Sequence, residues 1–325
     1  MDPELVDGLD AFIAATGPRG LAGIADPIDR RAAFSELMAA AGAEQEPDPS
    51  ISVEDRFAPG AAGSPDVPVR LYRPRALSGV LPALYYIHGG GMVIGSVETE
   101  DAITRKLCAA VGCAAVSVEY RLAPEHPHPA PVEDCYAGLV WTSANAQALG
   151  IDRDRIAIYG GSAGGGLAAA TALLARDRGG PRLAYQMLLY PMVDDRSDSP
   201  SCSEIDSIGV WDGWANRDGW QALLGDRWGG TDVEAYAAPA RATDLAGLPP
   251  TWIDVGELDA LRDEDILYAL RLMQAGVATD LRVYAGAFHA WEVFVPDAAI
   301  SSHAVAERIA ALRRALGDDS AVPGA

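Results

Sequence analysis

A chain of 325 residues, 49% hydrophobic and 22% charged, has the size and apolar content for a large buried core, which excludes a disordered or fibrous protein. Its 46 acidic against 25 basic residues give a formal net charge of -21, so its surface is expected to repel phosphate backbones and anionic membrane faces, and nucleic acid is not an expected partner. Four cysteines, Cys108, Cys113, Cys135 and Cys202, match neither a redox-pair nor a zinc-site spacing and read as packing residues. The start, Met1-Asp2-Pro3-Glu4-Leu5, carries no basic n-region followed by an apolar core. No run reaches the roughly 18 apolar residues that span a bilayer, so a cytoplasmic protein without stable membrane association is expected.

In chain order, residues 1 to about 43 read as a helical stretch. Ile51 to Pro59 and Val67 to Pro74 read as two antiparallel edge strands around a turn-rich connection. From about residue 81, short β-branched runs alternate with longer Ala/Leu-rich segments, the pattern of parallel strands joined by crossover helices. The strands are expected at Ala83 to Ile87, Ala114 to Tyr120, Arg155 to Tyr159, Tyr185 to Tyr190, Thr251 to Val255 and Leu281 to Tyr284. Helices are expected near Thr99 to Val111, Val132 to Ala146, Ala163 to Arg176 and Asp263 to Ala275. The acids of Arg262-Asp263-Glu264-Asp265 suit a helix start. Asp194 to Tyr236 breaks the alternation and carries Trp211, Trp214, Trp220 and Trp228. These tryptophans can form a small core of their own or wall an acyl or alcohol pocket. Trp211, Trp214 and the later Trp291 are the pocket candidates.

Ser162 lies in Gly160-Gly161-Ser162-Ala163-Gly164, between a strand and a helix, which is the context of a nucleophile elbow. Small residues two before and two after the serine let the backbone reverse, and the helix N-terminus aims free amides at a developing oxyanion. A strand also runs into His88-Gly89-Gly90-Gly91, whose amides, those of Gly90 and Gly91 above all, can join that of Ala163 in an oxyanion cradle. A phosphate loop is the weaker reading, since no Lys with Ser/Thr follows at its spacing. In this architecture the base follows the nucleophile along the chain, leaving His289 and His303. His303 falls on an amphipathic helix and His289 in a loop after the last strand, so His289 is the candidate base. Among Glu257, Asp259 and Asp263, which follow strand Thr251 to Val255, Asp259 is best placed to orient it, with Glu257 second and Asp263 starting the next helix.

The set His88-Gly89-Gly90-Gly91, Tyr120 to His126, the Ser162 elbow, Leu258 to Asp263 and Phe288-His289 resembles the bacterial hormone-sensitive-lipase family of carboxylesterases, and through Gly164-Gly165-Gly166-Leu167-Ala168 and Tyr236-Ala237-Ala238-Pro239 the chain resembles heroin-esterase-like enzymes within it. The resemblance spans roughly residues 80 to 315. It implies an α/β-hydrolase fold with a helical cap, a Ser162–His289–Asp259 triad, short-acyl ester substrates, and neither cofactor nor metal. It divides the chain into cap segments 1–43 and 194–236 and core segments 44–193 and 237–325. A homodimer through an exposed sheet edge is compatible with the family. The chain departs from it at Gly161, where a polar residue is usual and whose absence suggests a looser elbow, and at Ala260 and Ala290. Glu125 and His126 are expected to brace the loop beneath the oxyanion glycines, and His126, His128 and Glu133 not to bind a metal. The same triad would also serve an amidase, arylformamidase or lactonase. A non-catalytic ligand receptor is disfavoured because His289 is present.

Overall fold

The computed structural model describes residues 1–42, 48–208 and 210–317. Among them, eight strands form one sheet: β1 (Ile51–Ala58), β2 (Val67–Pro74), β3 (Leu81–Ile87), β4 (Ala114–Val118), β5 (Ile151–Gly161), β6 (Tyr185–Leu189), β7 (Thr251–Leu258) and β8 (Thr279–Phe288). Their spatial order is β1-β2-β4-β3-β5-β6-β7-β8. β2 runs antiparallel to both neighbours, and from β4 to β8 every pairing is parallel. This corrects one expectation, because β1 alone is an edge strand on that side. β2 lies inside the sheet, its register to β4 running from Val69 opposite Val118 to Tyr72 opposite Ala115.

Side-chain alternation sorts the central strands between two buried layers. Tyr85, Ile87, Val116, Val118, Ile156 and Ile158 enter one cluster, with helices Ala130–Ala144, Ala163–Asp177 and Arg262–Gln274 over it. Leu84, Tyr86, Ala115, Ala157 and Tyr159 enter the other, beside helices Asp101–Val111 and Ala299–Ala315. All four cysteines are buried free thiols.

The parallel strands deliver β3, β5, β7 and β8 to the same sheet edge, where they run into His88, Ser162, Asp259 and His289. That is where an open α/β sheet places its ligand crevice. Helices Val6–Thr16 and Pro27–Gly42 and the insertion helix Gly213–Leu224 come together near this edge. Phe12, Leu21, Val93 and Ile94 form the contact, joined by Phe34, Leu37, Val210, Ala222 and Phe294. The boundary drawn at residues 43 and 44, and residues 318–325 of the last segment, lie outside the described residues. Among the described residues no helix is long and apolar enough to cross a membrane.

Candidate active site

β5 ends at Gly161, and helix Ala163–Asp177 begins one residue past Ser162. The serine takes the whole reversal, with φ 57° and ψ -124°, a conformation rarely adopted by a residue with a Cβ and characteristic of strained functional turns. The flanking glycines are required by close backbone approach: a Cβ on Gly160 would strike the Gly164 carbonyl, and one on Gly164 the Ile87 carbonyl. Ser162 N–H donates to Leu189 O at 2.9 Å, and its carbonyl accepts from Gly166 and Met192 at 3.0 Å each, so the turn is tied to β6 as well as to its own helix.

His289 Nε2 lies 3.0 Å from Ser162 Oγ, and its Nδ1 lies 2.8 Å from Asp259 Oδ2. A carboxylate only accepts, so Nδ1 carries the hydrogen and Nε2 is left to accept from the serine. The second Asp259 oxygen accepts Leu261 N–H at 3.0 Å, which fixes the carboxylate plane. Asp259 is fully buried, and His289 and Ser162 are only 4% and 8% exposed, so the three side chains meet where little water reaches and electrostatic contacts are strong. Glu257, the second choice, is exposed and accepts from Gly286 N–H. Asp263 accepts from Ser201 N–H and ties the insertion to helix Arg262–Gln274. His303 is exposed and pairs with Glu307.

Gly90 and Gly91 have φ of 112° and 61°. Gly89 N–H is taken by Glu100 Oε1 at 2.9 Å, whereas those of Gly90, Gly91 and, at the helix start, Ala163 have no acceptor among the described residues. The loop is held from beneath. His88, fully buried, stacks on Tyr120 with ring centroids 4.1 Å apart, and the Tyr120 hydroxyl donates to the His88 carbonyl at 2.9 Å. Burial lowers the His88 imidazole to about 4, so it stays neutral. Burial also pushes the Glu100 carboxyl up, while Tyr86 and Gly89 donate to it.

The bracing expected of Glu125 and His126 belongs to other residues. Tyr120 holds His88, and Ala123 N–H donates to Met92 O. Glu125 instead receives a two-pronged contact from Arg31, and His126 is exposed. His128 faces Glu234 and Glu133 faces Arg178, so these side chains do not converge.

The three pocket tryptophans part company. Trp211 lies against the site: a Cβ on Gly91 would collide with its indole, and its ring centroid is 5.9 Å from that of His289. Trp214 instead lies beneath Arg19, 4.8 Å from the guanidinium carbon. Trp291 is 0% exposed and packs against Tyr190, Tyr284 and Arg308, so it is a core residue that no incoming ligand reaches. Of the other two, Trp220 is fully buried and Trp228 donates to Asp195 O.

Glu100, Tyr190, Glu292, Arg308 and Asp254 were not legible as site neighbours. Tyr190 sits edge-on to His289 at 4.8 Å and donates to Glu292 at 2.6 Å, and Arg308 bridges Glu292 and Asp254. No local motif marks them, because strands and helices far apart in sequence bring them together.

A profile of the alpha/beta hydrolase fold family matches residues 84–293. Carboxylesterase NlhH of Mycobacterium tuberculosis is 39% identical over 274 residues, 82% of this chain and 84% of that protein. A solved structure of a bacterial heroin esterase superposes with a TM-score of 0.91 at 43% identity, covering 97% of this chain and 98% of that one. An esterase from the archaeon Pyrobaculum calidifontis gives a TM-score of 0.84 at 36% identity, with 97% and 98% covered. A family profile over most of the chain and full-length relatives on one architecture lead to a single assignment: this protein belongs to the alpha/beta-hydrolase fold family, in its hormone-sensitive-lipase-like branch of serine carboxylic-ester hydrolases.

Proposed function

We propose that this protein hydrolyses short-acyl carboxylic esters through an acyl-enzyme on Ser162. The observation that carries this reading is the contiguous hydrogen-bond chain Asp259–His289–Ser162, set beside three amides without protein acceptors. Ser162 Oγ adds to the ester carbonyl while His289 Nε2 takes its proton, and Asp259 stabilises the imidazolium. The amides of Gly90, Gly91 and Ala163 bind the oxyanion. As the intermediate collapses, the carbonyl–alkoxy bond breaks and His289 returns the proton to the departing alcohol. Water then adds to the acyl carbonyl, giving its proton to His289, and the acid leaves as Oγ recovers a hydrogen.

The described residues of the two cap segments, 1–42 and 194–236 without 209, act together as the cap of this site, with Trp211 closing the space beside Gly91. That wall favours acetate- to butyrate-sized acyl groups, and a panel of p-nitrophenyl esters from acetate to decanoate tests it by its maximum at short chains. Ser162→Ala is expected to lose a factor of about 10⁵ to 10⁶ in kcat on p-nitrophenyl acetate, and Asp259→Asn about 10⁴. Retained turnover in purified Ser162→Ala would remove the nucleophile assignment.

A further inference from the structure

We propose that Tyr190 is a positioning residue that holds the His289 ring for deacylation, anchored through a buried chain from Glu292 to Arg308 and Asp254. This rests on the esterase reading above and adds to it a residue outside the triad and the oxyanion cradle.

Tyr190 is the first residue beyond β6 and has φ 35°, strain that a tyrosine keeps only where its surroundings impose it. Two contacts impose it. Its N–H donates to Asp254 O on β7 at 2.6 Å, and its hydroxyl donates to Glu292 Oε1 at 2.6 Å. Between these anchors the ring meets the His289 imidazole, centroids 4.8 Å apart and planes at 63°. The ring also flanks the elbow: a Cβ on Gly161 would come within 3.3 Å of Tyr190 Cε2 and 3.6 Å of its hydroxyl. Tyr190 therefore occupies the space beside the residue preceding Ser162, where this chain has no side chain of its own.

The anchor is rigid and internal. Arg308, 4% exposed, donates to Glu292 Oε1 at 2.5 Å and to both oxygens of Asp254 at 2.6 and 2.9 Å, while Trp252 Nε1 donates to Asp254 at 2.8 Å. Two buried carboxylates on one guanidinium are costly to desolvate, and removing one partner leaves an uncompensated buried charge, so the cluster holds together as a unit. Glu292 lies three residues after His289, across the turn at Ala290, so fixing Glu292 also fixes the segment that carries the imidazole.

The requirement differs between the two halves of the reaction. Before acylation the imidazole is held at both nitrogens, by Asp259 and by Ser162. In the acyl-enzyme Oγ is esterified and has no hydrogen to give to Nε2, so Asp259 is the one remaining hydrogen-bond partner of the base, and ring packing by Tyr190 at 4.8 Å and by Trp211 at 5.9 Å must hold it while it activates water. Loss of the Tyr190 hydroxyl anchor should slow deacylation more than acylation.

The test is pre-steady-state hydrolysis of p-nitrophenyl acetate by the full chain and by Tyr190→Phe. The variant is expected to lose about tenfold in kcat with kcat/KM within about threefold of the parent, and to show a p-nitrophenol burst approaching one equivalent per active site, while staying folded at the assay temperature. Glu292→Gln keeps an oxygen for the Tyr190 hydroxyl and should stay within about threefold in kcat, without a burst. Parent-like kcat in Tyr190→Phe, equal losses in kcat and kcat/KM without a burst, or a full burst in Glu292→Gln would each overturn the proposal. Stoichiometric labelling of Ser162 in the parent by diethyl p-nitrophenyl phosphate keeps the two claims apart. If it labels and these outcomes fail, the Tyr190 role falls alone; if it does not label, the esterase reading falls with it.

Discussion

At the scale of the residue, Trp211 is the side chain proposed to limit what the site accepts. Its indole packs where a Cβ on Gly91 would be, beside the amide proposed to bind the oxyanion, and Gly219 of the insertion helix backs it. A large aromatic so placed excludes chain length by volume, and each methylene accommodated or refused in an apolar pocket is worth about 1–3 kcal/mol. Trp211→Ala should therefore raise the decanoate-to-acetate ratio of kcat/KM by about tenfold or more, measured on the p-nitrophenyl ester panel. An unchanged ratio would move the acyl wall elsewhere. Trp214 and Trp291 carry the same aromatic signal in the sequence, yet one lies under Arg19 and the other in the core. Residue type alone does not distinguish these environments, because a pocket wall and a core wall make the same apolar demand.

At the scale of elements, the turn at Ser162 and the glycine loop after β3 were readable because local backbone geometry demands particular residues there. Glycines at 160, 164, 90 and 91 have no substitute where backbones touch or φ is positive. Strand limits were less readable. β5, β7 and β8 run beyond their apolar runs to include Ile151, Leu258 and Thr279, because neighbouring strands supply hydrogen-bond partners whatever the side chain. β4 stops at Val118, where Glu119 N–H turns to Pro68 O. Helix Pro27–Gly42 reads as a plain helical stretch, but Arg31 latches it to the loop that follows the glycines after β3. Its guanidinium donates to Val93 O, Ala123 O and both Glu125 oxygens at 2.7 to 2.9 Å. Arg31→Ala should loosen this cover, lowering the unfolding midpoint by a few degrees and raising KM more than it lowers kcat. A fall in kcat alone would show that the helix does not cover the substrate.

At the scale of the whole molecule, stability inherits the chemistry of the buried loop. The folded protein holds His88 neutral, with its imidazole lowered to about 4 from an ordinary 6.5. As pH falls from about 6.5 toward 4, the unfolded chain takes up a proton there that the folded chain refuses, so folding loses up to about 3 kcal/mol over that window. Urea unfolding across it should show His88→Gln less acid-sensitive than the parent, and parallel curves would contradict this. The overall architecture was legible because the βα alternation from residue 81 and the order of serine, acid and histidine are properties of the chain as a line. The network of Tyr190, Glu292, Arg308 and Asp254 was not, since Arg308 comes from a helix that reads as an amphipathic surface segment and proves 4% exposed. The most direct test of the catalytic account is intact-mass and peptide mapping after reaction with diethyl p-nitrophenyl phosphate. The account predicts one diethyl phosphoryl group on Ser162, absent in Ser162→Ala and lost in parallel with activity. Modification at any other residue, or full activity in a stoichiometrically labelled protein, would contradict it.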